Sequence, residues 1–165
     1  MKVFKEEQRF TQLWLIILMS VSLIIPIALI FQEYSKKNSS ISTNELIGST
    51  TAILASGLLI FFFKLKTRID EKGIYYQFFP FHFKYKLISW NEIENAFVRT
   101  YDPIGEYGGW GLKGGAFWNS GKGKCINVSG DVGIQLELTN GKKLLIGTQK
   151  EFDAKKVLES YINKN

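Results

Sequence analysis

Apolar and polar positions divide the chain near residue 64. Before it stand two long uncharged runs; after it apolar residues alternate with polar ones at period two, until a last segment returns to helical spacing. The first run, Leu13 to Phe31, holds nineteen residues without a charge. As a helix it would be about 28 Å long and match a hydrocarbon core. The second, Leu46 to Phe63, is uncharged over eighteen residues but interrupted by Gly48, Ser49, Thr50, Thr51, Ser56 and Gly57. Gly48, Ala52 and Ser56 recur every fourth position, which stacks them on one helix face and predicts close approach of a partner, the first helix being nearest. The expected division is a transmembrane hairpin over 1–63, with helices at about 13–31 and 46–63, followed by a β domain over 64–165.

Within that domain Ile74, Tyr76 and Phe78 share one face of a predicted strand. Phe81, Phe83, Tyr85 and Leu87 share one face of the next, with His82, Lys84 and Lys86 opposite. Turn chemistry at Asp70-Glu71-Lys72-Gly73, Pro80 and Gly130-Asp131-Val132-Gly133 separates seven strands, near 66–70, 74–79, 82–89, 95–101, 124–129, 133–138 and 142–147. In the last hairpin a three-residue loop ending on a left-handed Gly141 sets Leu136 opposite Leu144 and Ile134 opposite Ile146, which keeps one face apolar. Ser89 and Glu92 have the spacing of a capping box, as have Thr148 and Glu151. The second opens a helix over 149–162 in which Ala154, Leu158, Tyr161 and Ile162 form the buried face.

Charge orients this arrangement. Lys2, Lys5 and Arg9 precede the first run and Lys64, Lys66, Arg68 and Lys72 follow the second, against Lys36 and Lys37 between them. Both termini and the β domain are therefore expected on the cytoplasmic side of a multi-pass protein of the cell membrane. Glu6 and Glu7 before the first run argue against a cleaved signal peptide. From Lys64 onward 16 Lys/Arg stand against 11 Asp/Glu, a net +5, which suits anionic lipid head groups. The cations are scattered and never form a run of five, which argues against nucleic acid. A single cysteine, Cys125, allows no intrachain disulfide.

Candidate chemistry is sparse. Gly109-Trp110-Gly111-Leu112-Lys113-Gly114 matches the dinucleotide fingerprint in letters, but no strand is predicted before it and no helix after it. The only histidine, His82, lies on the polar face of a predicted strand with no nucleophile paired to it. Asp102 and Glu106 form a pair of acids without a third metal ligand nearby. No cofactor, metal site or catalytic set is expected. What stands out is the stretch 103–124, with eight glycines and the aromatics Tyr107, Trp110, Phe117 and Trp118, long for a loop in a compact domain. Tyr101, Asp102, Glu106, Tyr107, Trp110, Lys113, Phe117 and Trp118 are its candidate binding residues. Three roles remain open for its aromatics: a lid over the sheet end, contact with the lipid interface, or a ligand or partner site.

The order of these parts, with Leu87-Ile88-Ser89-Trp90-Asn91-Glu92-Ile93 leaving the third strand, resembles the bacterial pleckstrin-homology-like (PH-like) domains of small two-helix membrane proteins. The resemblance covers about residues 64–163. It implies an α+β membrane protein whose seven-stranded sandwich or partial barrel is capped by the C-terminal helix. Phosphoinositide-binding relatives use basic residues in the first hairpin loop, here Asp70-Glu71-Lys72-Gly73, so that site does not carry over. The functional expectation is a membrane-anchored, non-catalytic binding or scaffolding module. The alternative is an accessory subunit of a larger membrane complex, with a membrane-protein partner or a second copy on the small-residue face.

Overall fold

A computed structural model describes residues 2–37, 39–114 and 121–162. The chain forms two compact units, one of residues 10–62 and one of residues 1–9 together with 63–165.

The smaller unit is a pair of helices, α1 (Leu13–Tyr34) and α2 (Thr43–Leu58), the latter prolonged by a 3-10 turn, Leu59–Phe62. Ser42 caps α2 and Glu45 reaches back to the Ser42 amide, a complete capping box. Inside the helices Ser22, Ser49 and Ser56 return their hydroxyls to carbonyls three or four residues earlier, which satisfies polar groups that lipid cannot. Both helices are long and apolar enough to cross a membrane.

The contact between them is not the one the small-residue spacing predicts. Gly48, Ala52 and Ser56 are all exposed, and a Cβ on Gly48 would meet nothing within 4 Å. The residues that lose exposure are Leu46, Ser49, Thr50, Ile53 and Gly57 of α2 and Ile60 of the 3-10 turn, and a Cβ on Gly57 would stand 2.4 Å from Leu23. A four-residue repeat drifts around a helix by about 40° per step, whereas alternating steps of three and four hold one stripe against a neighbour. Gly57 is the gap that admits Leu23.

Among the described residues the larger unit contains nine strands in two sheets, not seven. The first sheet is antiparallel in the order β1 (Phe4–Arg9), β2 (Lys64–Asp70), β3 (Gly73–Phe79), β4 (Lys86–Ser89). The second runs β5 (Ile93–Thr100), β8 (Val132–Leu138), β9 (Lys143–Gly147), β7 (Lys124–Asn127), β6 (Gly111–Gly114), antiparallel except where β7 meets β9. A short helix α3 (Pro103–Tyr107) follows β5, and α4 (Glu151–Ile162) ends the chain, burying Ala154, Val157 and Leu158. Phe4, Leu65, Ile69, Ile74 and Phe78 from the first sheet and Ile126, Ile134, Leu136, Leu145 and Ile146 from the second supply the core.

Three differences from the sequence expectation have physical causes. Residues 4–9, read as a flank of the first helix, form β1 and belong to the β unit. Phe4, Glu6 and Gln8 point inward; the Glu6 carboxylate accepts from Thr148 Oγ1 at 2.7 Å and the Gln149 amide at 2.8 Å, and Gln8 Nε2 donates to Gly147 O at 2.8 Å. Glu6 thereby takes the place assigned to Glu151 at the entry of α4, where Thr148 Oγ1 accepts only from Lys150 N. The third predicted strand starts at residue 86 instead of 82, because His82 N donates to Phe78 O at 2.8 Å and His82 Nδ1 accepts from Phe78 N at 3.3 Å. That closure uses the β3 groups a longer strand would need, and it leaves Phe81, Phe83, Tyr85 and Leu87 exposed instead of buried. Finally, the stretch 103–124 is not one loop: it contains α3 and β6.

The buried face of α4 is shifted from the expected one, with Val157 buried, Tyr161 half-buried and Ile162 exposed, while other expectations match. Leu136 pairs with Leu144 and Ile134 with Ile146, beside a Gly141 at φ 77°. Ser89 and Glu92 form their capping box, Trp90 stacks on Tyr161 at 5.4 Å, and Trp90 Nε1 donates to Asp70 O at 2.9 Å.

Candidate functional site

The described residues nominated from 101–113 gather around α3 and β6, and the polar groups of Tyr101, Asp102, Glu106, Tyr107 and Trp110 are engaged in folding that segment. Asp102 caps α3, accepting from the Ile104 and Gly105 amides at 3.0 Å each, with Pro103 in the first helical position. Gly108, left-handed at φ 71°, ends the helix after five residues. Glu106 faces the Arg99 guanidinium in a two-pronged ion pair at 2.8 and 3.1 Å and accepts from the Asp102 amide at 3.0 Å. The Arg99 hydrogen bonds, above all, pull its carboxyl down to about 2. At neutral pH it is a fixed anion.

Tyr101 is buried; its hydroxyl accepts from Asn127 Nδ2 at 2.7 Å, and Asn127 Oδ1 accepts from Gly111 N at 2.8 Å, tying β6 to β5. Tyr107 meets the Tyr101 ring edge-on at 5.9 Å. Burial beneath these rings pushes the Cys125 thiol up to about 12, which keeps it unreactive. Trp110 Nε1 donates to Gly130 O at 3.0 Å, so this indole is a half-buried strut. Lys113, the partner of Cys125 on β6, is half-buried; Phe117 and Trp118 lie outside the described residues. The dinucleotide reading fails structurally as well, since Gly111–Gly114 is a strand paired with β7. Among the described residues no group of three or more His, Cys, Asp and Glu is placed to hold a metal ion.

A second constellation, missed in the sequence, lies on the outer face of the first sheet. Register sets Arg9 opposite Lys64, Glu7 opposite Lys66, and Lys5 opposite Arg68. The face carries five cations, Lys5, Arg9, Lys64, Lys66 and Arg68, and two acids, Glu7 and Asp70. Glu7 is shared between Arg9 at 2.7 Å and Lys66 at 3.5 Å, and the Arg9 hydrogen bond lowers its pKa. Arg68 pairs with Asp70 at 2.7 Å and lies over the Tyr75 ring at 5.5 Å. Lys5 and Lys150 form no ion pair among the described residues. Together with Lys66, Arg68, Tyr75 and Tyr85, and with Glu6 and Glu7 beside them, they line a cavity of about 420 Å³. Like charges directly opposite across a strand pair destabilise it, and this sheet has two such pairs. An anion seated there would reverse that cost. The only sequence signal was the alternation in Phe-Lys-Glu-Glu-Gln-Arg, which has one apolar residue in six.

No family model matches this chain, and no curated protein matches it.

Proposed function

We propose that this protein is a membrane-anchored, non-catalytic binding module that presents a cationic sheet face to anionic ligands at the cytoplasmic surface of the cell membrane. The observation that carries this reading is the pairing of Arg9 with Lys64. The sheet is built from both ends of the helix pair, so α1 and α2 leave from and return to one place. No side chain of α1 is fully buried, and of α2 only Gly57 is; an apolar helix pair that leaves its outer faces exposed needs lipid around it. The excess of Lys and Arg at the outer ends of the two helices over the segment between them orients the β unit inward. Two sheets closed by a C-terminal helix suit a PH-like ancestry, with β1 and β6 added to the expected strands.

The test is titration of the full chain in zwitterionic nanodiscs with inorganic polyphosphate. Binding should weaken as salt rises and fall at least about tenfold in the Lys5→Gln/Lys150→Gln double variant, the loss of two charge-assisted contacts. Binding that ignores these substitutions would refute the assignment of the site. The alternative, an accessory subunit, is favoured by one observation: α1 leaves Gly48, Ala52 and Ser56 uncovered. A stoichiometric membrane partner retained through purification in mild detergent would decide for it.

A further inference from the structure

We propose that the β3–β4 connection, residues 79–85, is a second membrane contact whose aromatic side chains sit at the boundary between head groups and acyl chains. The proposal rests on the membrane reading above and adds a surface that reading does not need. Phe-Pro-Phe-His-Phe-Lys-Tyr carries four aromatic rings in seven residues, and three of them are largely exposed: Phe83 is 79% exposed, Phe81 59% and Tyr85 49%. In water such exposure forgoes the stabilisation that burying large apolar side chains supplies.

The exposure is built in. Gln77 Nε2 donates to the His82 and Phe83 carbonyls at 3.2 and 2.9 Å, and His82 is bound to Phe78 through both its amide and its ring. The loop therefore has a fixed shape that presents these side chains, with Phe79 and Phe83 edge-on at 5.9 Å.

Its position supplies the occupant. Register places Arg9, Lys64 and Phe79 side by side at one end of the sheet, and these are the residues from which the chain enters and leaves the helix pair. Phe63, directly after the 3-10 turn, lies 5.9 Å from both Phe78 and Phe81. The connection thus starts where the chain comes out of the hydrophobic segment. Its composition matches that depth: aromatic rings for the boundary region, with Lys64, Lys84 and Lys86 able to bury their stems and keep their ammonium groups at the phosphates.

The experiment uses the full chain in nanodiscs containing anionic lipid, with a nitroxide attached to Phe83→Cys, Leu29→Cys or Asn140→Cys in separate variants. Cys125 is fully buried and does not compete for the label. Power saturation compares collisions with oxygen and with a water-soluble nickel chelate. The expected result is that positions 83 and 29 favour oxygen while position 140 favours nickel. If position 83 behaves like 140 while 29 remains shielded, the loop contact is wrong and the membrane reading stands. If 29 also behaves like 140, both fail. Dipolar broadening at 83 that vanishes on dilution with unlabelled protein would assign the loop to a second copy and overturn the proposal.

Discussion

Arg9 and Lys64 are Cα partners across β1 and β2, although both helices intervene between them in the chain. Closing so long an excursion costs entropy that a strand of six residues must recover. β1 recovers little of it through apolar burial, since Phe4 is its only inward apolar side chain; Glu6 and Gln8 do the rest by bonding the end of β9 and the entry of α4. The N-terminal strand is thus a polar latch that fixes the start of the chain to its last elements.

Glu6→Ala should open that latch. It leaves the Thr148 hydroxyl and Gln149 amide without their acceptor and should cost about 1–3 kcal/mol. Lys5→Ala, one residue away on the outer face, should cost less than about 0.5 kcal/mol. Denaturant unfolding of the full chain in detergent compares them, and equal losses would mean that Glu6 is not the anchor.

Within the helix pair Gly57→Leu should separate α1 from α2 by forcing a side chain against Leu23, a destabilisation of about 1–3 kcal/mol typical of overpacking. Ala52→Leu, on the uncovered face, should leave the pair unchanged. The opposite ranking in unfolding from mixed micelles would restore the small-residue face as the contact.

The Arg99–Glu106 pair predicts an acid limb. Glu106 falls from an ordinary 4.5 to about 2 on folding, so the unfolded chain binds its proton more readily. The stabilisation is complete above about 4.5 and is lost as pH falls towards 2. Arg99→Met removes the main cause and should flatten that limb while lowering stability at neutral pH. Unfolding midpoints between those pH values provide the comparison, and parallel curves for the two proteins would contradict it.

The elements legible in the sequence were those whose pattern had one physical meaning. A long uncharged run makes a helix, and Leu136 opposite Leu144 follows once Gly141 must be left-handed. β1 was illegible because its inward positions are Glu and Gln, whose partners lie about 140 residues away. The alternation of Phe81, Phe83 and Tyr85 was read as a buried strand face because period two reports which side chains point the same way, not what lies opposite them. The glycine-rich stretch concealed β6 for a related reason: Gly-Leu-Lys-Gly carries almost no strand signal, and only its pairing with β7 makes it one. Of the nominated residues there, Tyr101, Asp102, Glu106, Tyr107 and Trp110 cluster as the braces of α3 and β6, whereas the cationic face needed β1 to exist.

The most direct measurement is the sidedness of three engineered cysteines probed with a membrane-impermeant thiol reagent in cells that express the full chain. Lys5→Cys on β1, Asn140→Cys in the β8–β9 turn and Ser40→Cys between the helices report the two ends of the sheet unit and the far end of the helix pair. The account predicts that position 40 reacts in intact cells while 5 and 140 react only after permeabilisation. Labelling of 5 and 140 from opposite sides, or of all three from the same side, would contradict a sheet joined across two membrane crossings.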